Sequence, residues 1–462
     1  MIMIFNSLLF IFAFLPISVL IYTVLPKNGL KNMWLLLISL VFYSWGNPAG
    51  MVLLILSILW NYLSAIELEV CKTSRNKKIS FWTGVAVNLI ILGFFKYTNF
   101  IFGTLLPNWT SLEIVLPVGL SFYTFSAISY LADVYTNRVK ANHNLFSVGL
   151  YISFFGKVSM GPIVTYHDME NQLLHRSVDR VQFGQGCALF VKGLFKKVVF
   201  ADQFALLYQM LQSNETLLGT WLLVLAFSLQ LYFDFSGYSD MAIGIAKWFG
   251  FQFNKNFDHP YVACNAQDFW RRWHISLSNW FKEYVYIPLG GNRNGIRTYV
   301  RNIFIVWLCT GIWHGANWTF IAWGLYYAII LLLEKFYIRN FLDKLPKWIS
   351  HVYALIVIAI GWIFFMSPSL SVAFHTLGRL FFIGISSFGN AQVFFLLRTY
   401  GCILVLGILF STPLFEYVQN FLLIRLKNNS QMILNLLYFV AFIICIAFIV
   451  GSSMQMFLYS AF

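Results

Sequence analysis

Of 462 residues, 59% are hydrophobic and 10% charged, far below the roughly 25% charged residues of a soluble domain, which excludes a water-soluble globular protein. Repeated apolar runs of about 18 to 22 residues suit helices crossing about 30 Å of hydrocarbon, and a barrel would instead alternate apolar and polar positions. The net charge of +14 comes from Lys and Arg gathered between apolar runs, as in cytoplasmic loops of membrane proteins, so nucleic-acid binding is excluded.

The six cysteines form no CxxC pair and have no His at ligand spacing, so neither a disulfide framework nor a metal site is expected. They read as buried thiols.

Taken in order, the first span is predicted at 5–25, without the basic start and A-x-A site of a cleavable signal peptide. The apolar region 33–66 is too long for one helix and breaks at Trp45 to Pro48, which gives a hairpin of two spans. Lys72, Arg75, Lys77 and Lys78 form the strongest cytoplasmic signal of the amino-terminal half, with the amino terminus outside. Spans follow at 79–95 and 114–132. The second carries Ser121, Tyr123, Thr124, Ser126 and Ser129, hydroxyls that either face a protein interior or bond back to the helix. Asp133 reads as an interfacial partner of Arg138 or Lys140. The apolar part of 145–175 is short and ends at Gly161-Pro162, a re-entrant or interfacial pattern. His143, His167 and His175 are expected in solvent, and Lys192, Lys196 and Lys197 on a headgroup-facing edge. A span at 217–235 leads into FDFSGYSD, where Asp234 and Asp240 could act as acid and base but, with no His or nucleophile beside them, are expected rather to hold neighbouring helices together or to bond nearby Arg and backbone amides. A short amphipathic piece then ends at Lys247.

Asn265 can cap a helix over 266–286, where Phe269, Trp273, Leu277, Trp280 and Tyr284 recur at spacings of four, four, three and four, an aromatic face suited to lying in the interface. His274 falls at its edge, in register with Arg271 and Ser278. LGGNRNG reads as a turn. The helical segment 300–333 is again too long for one span and carries His314 in its middle between Gly311 and Gly315, small neighbours that leave room for a ligand, with Thr310 and Asn317 nearby. Cys309 is about 140° away around the helix, which excludes a Cys-His pair. Further spans are predicted at 351–366, 371–386, 393–411 and 431–450. The whole is an all-α, polytopic transmembrane bundle of about 10 to 12 spans with re-entrant or interfacial helices, one domain over 1–462.

DFWRRWHISLSNWFKEYVYIPLGGNR, followed some 40 residues after its histidine by WHGANW, resembles the membrane-bound O-acyltransferase family, in its AlgI-like polysaccharide-acetylating branch. LPVGLSFYTFSAISYLADVY, GPIVTYHDMENQL, GLFKKVVFAD and QLYFDFSGYSDMAIGIAKWFGF are similar to it too. The likeness runs from about residue 30 to 325. It implies a multi-pass protein of the bacterial cell membrane that moves an acetyl group from cytosolic acetyl-CoA to an extracellular or cell-wall polysaccharide, with a polar tunnel, no permanently bound cofactor and no metal. An extracytoplasmic SGNH-type esterase-like protein is the implied partner, beside membrane lipids. The histidine of the WHG motif falls on His314, the implied general base, neutral in a low-dielectric site. His274 would orient or polarise the thioester carbonyl, and Tyr459, in a tail similar to the family's F-x-Y-F-x-F-like ending, would pass on the acetyl group. Arg271, Arg272 and Arg293, with Arg297 and Arg301, would attract the CoA phosphates, and Asn317 would assist. Two other readings stay open. A related acyltransferase that D-alanylates teichoic acid, or acylates protein or lipid, would share the histidines. A transporter would more often show an internal repeat, and none is visible.

Overall fold

The computed structural model describes residues 3–106, 108–426, 430–451, 457 and 458. Seven helices among them are long and apolar enough to cross a membrane, and Phe10–Val24 is a shorter apolar helix. The protein is a polytopic all-α membrane protein, with no strand among the described residues. Two compact units form, one from the described parts of 1–190, 238–255 and 456–462, the other from those of 191–237 and 256–455.

In the first unit, α1 (Phe10–Val24), α2 (Asn28–Ser44), α3 (Pro48–Val70) and α4 (Ser74–Leu105) occupy the expected spans. The break between α2 and α3 has a local cause. Gly50 N donates to Asn47 Oδ1, and Pro48 takes the first helical position, where its missing N–H goes unneeded. α4 is 32 residues long, well beyond 79–95. Its first turn, capped by Thr73, is polar and exposed, so it interrupts the apolar run without interrupting the helix. The span expected at 114–132 is a shorter helix, α5 (Leu120–Tyr135). It starts at Gly119, whose φ of +74° suits glycine and whose missing Cβ leaves space filled by the Val158 carbonyl. α5 is buried along nearly its whole length, which settles its hydroxyls: Lys157 Nζ donates to Ser126 Oγ at 2.8 Å, and Ser129 Oγ bonds Tyr151 OH at 2.8 Å. Short helices α6 (Leu145–Ser153) and α7 (Tyr166–Leu174) flank the turn that holds Gly161-Pro162. Asp133 is buried and lies 3.8 Å from Arg138. It also accepts from His167 N and faces His167 Nδ1 at 3.2 Å, so His167 is a structural partner rather than a solvated group.

α8 (Arg180–Phe195) runs through a π-turn (Lys196–Ala201) into Asp202–Leu211. In the second unit this π-turn carries Lys197 inward. Its Nζ lies 2.7 Å from Asp234 and 2.8 Å from Asp202, so Lys197 holds helices together and is no part of a headgroup edge. α9 (Leu217–Trp248) is one helix of 32 residues, not a span followed by a short piece, because Asp234 within FDFSGYSD is neutralised in place. The unit continues with α10 (Ala266–Arg272), α11 (Ile275–Phe281), α12 (Gly295–His314), α13 (Trp318–Leu342), α14 (Lys347–Met366), α15 (Leu370–Leu380), α16 (Ala391–Phe410), α17 (Leu414–Leu426) and α18 (Ser430–Gly451). Of the cysteines only Cys445 is buried, and Cys309 and Cys402 face outward, contrary to the expectation of buried thiols.

Candidate active site

Asn265 caps α10 as its sequence position indicates, with Asp268 N donating to its Oδ1 at 2.7 Å. Two further free amides at this end, Ala266 N and Gln267 N, donate to the Glu334 carboxylate at 2.7 and 3.1 Å, so a side chain of α13 completes the cap. The single interfacial helix predicted over 266–286 does not form. Trp273 leaves the helix, His274 takes φ +45° and ψ +53°, and α11 begins afresh. A left-handed conformation at a residue with a Cβ costs about 1–3 kcal/mol and persists only where its surroundings hold it. Here the segment 256–258 does so: Ile275 N donates to Asn256 O at 2.9 Å, Ser276 N to Asn256 Oδ1 at 3.0 Å, and Asp258 N to Arg272 O at 2.9 Å. Phe269, Trp273, Leu277 and Trp280 are buried in the protein. Trp273 packs on Trp362, Phe257 and Phe269 with ring centroids 5.0, 5.1 and 5.5 Å away, so this aromatic face is core rather than a lipid contact.

The segment 300–333 divides, as its length requires, into α12 and α13, with His314 the last residue of α12. The glycines serve this hairpin. A Cβ on Gly311 would meet the Phe320 carbonyl, one on Gly324 the Trp307 carbonyl, and one on Gly315 the Phe320 ring. They let two helices and a ring close on one another, and the room expected for a ligand beside His314 comes from elsewhere.

That room is a cavity of about 610 Å³ lined by both His274 and His314, within the usual range for small-molecule sites. The two rings share a neighbour, Trp313, with centroids 6.2 Å from His274 and 4.8 Å from His314. His314 is 3% exposed and is fixed by edge contacts to Trp323 at 4.8 Å and Phe365 at 5.2 Å. His274 is 1% exposed. Its Nδ1 lies 3.4 Å from Asn256 Oδ1, and its buried Nε2 has no partner among the described residues. Burial pushes the His274 pKa down to about 3, because no opposite charge offsets the loss of water, and the ring is neutral at physiological pH.

Arg271 lines the same cavity, with Lys282, Lys335 and Arg339 against Glu334 and Asp343, an excess of positive charge suited to an anionic ligand. The other expected binding residues fall outside it. Arg272 Nε donates to Asp268 Oδ1 at 3.1 Å and its NH1 to Asp258 O at 3.2 Å, a local clamp of α10. Arg293 is exposed on the turn before α12. Asn317 caps α13, accepting from Thr319 N at 3.1 Å and donating to Pro368 O at 2.8 Å. Tyr459 lies outside the described residues. Glu334 and Asn256 were not foreseen. Each sits in a stretch with no motif signal of its own, and only the fold brings it to α10 and His274.

A cavity walled by aromatic rings, holding two imidazoles and a cationic face, can deprotonate a hydroxyl and bind an anionic donor. Comparison with known proteins bears on which chemistry this is. Residues 120–377 match the family described as MBOAT, membrane-bound O-acyltransferase. The chain is 38% identical over 403 residues to the probable alginate O-acetylase AlgI of Pseudomonas aeruginosa, covering 85% of this chain and 76% of that one. It is 37% identical over 477 residues to the peptidoglycan O-acetyltransferase of Helicobacter pylori, covering 93% and 90%. To the teichoic acid D-alanyltransferase of Bacillus subtilis it is 26% identical over 362 residues, covering 75% and 91%.

Proposed function

Because the chain belongs to the membrane-bound O-acyltransferase family and is a multi-pass membrane acyltransferase, we propose that it moves acetyl from cytosolic acetyl-CoA across the membrane onto hydroxyls of an extracytoplasmic polysaccharide or peptidoglycan. The observation that carries this reading is the single cavity shared by His274 and His314. The relatives above 30% identity are named as O-acetylating enzymes, which favours acetyl over D-alanyl.

The chemistry follows from the groups present. Arg271, Lys282, Lys335 and Arg339 would hold the CoA phosphates at one side of the cavity. His314 takes the proton of the acceptor hydroxyl as its oxygen attacks the thioester carbonyl. The tetrahedral intermediate then collapses, the C–S bond breaks, and the proton passes from His314 to the leaving thiolate. Such general base catalysis contributes about 10²- to 10⁴-fold. The imidazolium formed in transit stands at the carboxyl end of α12, where the helix dipole favours a positive charge by about 0.3–1 kcal/mol. Walls of Trp and Phe limit competing hydrolysis by keeping water out. An extracytoplasmic SGNH-type partner would receive the acetyl group where the polymer lies beyond reach of the cavity, with Tyr459 as the carrier.

Mass spectrometry of surface polymers from a deletion strain and its complemented parent tests the reading. Loss of ester-linked acetyl from polysaccharide or peptidoglycan is expected. Loss of D-alanyl ester with acetyl intact would replace it with the teichoic acid alternative.

A further inference from the structure

His274 is held on both its backbone and its ring by one residue. Asn256 is 1% exposed. Its carboxamide oxygen receives the Ser276 backbone N–H at 3.0 Å and faces His274 Nδ1 at 3.4 Å. The backbone amide can only donate, which identifies the Asn256 atom at this junction as the oxygen and fixes the orientation of its amide. An oxygen there can only accept, so Nδ1 must carry the hydrogen. A neutral ring has one hydrogen, so Nε2 is bare. This Nε2 is buried and has no partner among the described residues, and the residue that carries it is one of those lining the cavity.

An acceptor nitrogen left without a donor in an apolar setting is destabilising, and the left-handed backbone at His274 adds its own strain. Both concern one residue, and both are maintained by the same neighbour, since Asn256 O also receives Ile275 N–H at 2.9 Å. From this geometry we propose that Asn256 positions His274 as its Nδ1–H tautomer, so that Nε2 serves as a hydrogen-bond acceptor for a hydroxyl of the acceptor sugar next to the one that reacts. The proposal rests on the acyl-transfer reading and refines it. A ring bare at Nε2 has no hydrogen with which to polarise a carbonyl, so His274 instead accepts the hydrogen of a sugar hydroxyl beside the reacting one and holds the acceptor in place, while His314 removes the proton of the hydroxyl that attacks the thioester. Asn256 acts through His274 and is a positioning residue.

Two measurements test it. In protein labelled with ¹⁵N-histidine, comparison with His274→Gln assigns the His274 ring nitrogens. A protonated Nδ1 and a bare Nε2 at pH 7 are expected, with the pattern scrambled in Asn256→Leu and retained in Asn256→Asp, whose carboxylate accepts both hydrogens. A protonated Nε2 in the parent protein overturns the proposal whether or not acetyl transfer is detected. The second measurement is steady-state acetyl transfer in proteoliposomes from acetyl-CoA to a chito-oligosaccharide. Asn256→Leu is expected to lower kcat about 10²-fold with the KM for acetyl-CoA unchanged, and Asn256→Asp to restore it to within about tenfold. Equal impairment of the two variants, or a fall in Asn256→Leu confined to KM, overturns it. A parent protein with the expected tautomer and no acetyl transfer would reject the functional reading and leave the tautomer assignment standing.

Discussion

Replacing Lys157 by Met should stabilise the protein at neutral pH, an unusual outcome for loss of a buried polar contact. Lys157 is 3% exposed. Its ammonium meets Ser126 Oγ at 2.8 Å and the Tyr151 ring at 4.4 Å, and no carboxylate pairs with it among the described residues. Burial pushes its pKa from 10.5 down to about 7. Folding therefore disfavours the charged form by on the order of 5 kcal/mol. A base whose folded pKa is depressed binds more protons when unfolded, so its cost is fully present below about pH 7 and fades as pH rises through 10.5. Met keeps the unbranched chain but removes the charge. It forfeits about 1 kcal/mol of hydrogen bond and about 1–2 kcal/mol of cation–π attraction, which leaves a net gain of about 2 kcal/mol at pH 7. Unfolding by SDS titration in mixed micelles, followed by tryptophan fluorescence at steps between pH 6.5 and 10, measures it. The variant's advantage should shrink steadily with rising pH. A difference that is flat with pH, or a destabilised variant at pH 7, refutes the reasoning.

Lys197→Met should behave in the opposite way. It strands Asp202 and Asp234, each within 2.8 Å of Nζ, and should cost about 3–5 kcal/mol, with much of the loss recovered when both aspartates become Asn, as read by yield and thermal stability in detergent. Gly324→Val should displace α12 from α13 because its side chain would meet the Trp307 carbonyl, lowering both folding yield and acetyl transfer while Gly401→Val, in open space, leaves both near the parent level. Arg271→Gln should raise the KM for acetyl-CoA, whereas Arg272→Gln, which breaks the clamp to Asp268 and Asp258, should lower stability without a selective KM effect. His274→Gln should flatten the acid side of the stability curve. The ring, neutral in the fold down to about pH 3, withholds at pH 5 about 2 kcal/mol that the unfolded chain gains by protonation.

Most of the bundle was legible because hydropathy and capping report directly on helices in lipid. The hairpin break at Asn47-Pro48 and the Asn265 cap depend on nearest neighbours, and both formed where the residues indicated. The pairing of His274 with His314 in one cavity followed from two motifs. What escaped depends on partners distant in sequence. The aromatic spacing of Phe269, Trp273, Leu277 and Trp280 persists through the break at His274, since the left-handed turn is imposed by Asn256 and carries no mark in local periodicity. Lys197 looks like its neighbours Lys192 and Lys196, and only the π-turn and the carboxylates of Asp202 and Asp234 turn it inward. The room expected for a ligand at Gly311 and Gly315 is taken by the backbone and ring of Phe320, a guest that the local sequence does not distinguish from a ligand. Asn317 and Arg272 carried plausible binding chemistry that the fold spends on a cap and a clamp.

The proposed acyl transfer requires His314 as the base within the shared cavity. Acetyl transfer from labelled acetyl-CoA to polymer in membranes bearing His314→Ala, at matched protein level, measures that role directly. A fall of about 10²-fold or more is predicted, and turnover near that of the parent protein would contradict it.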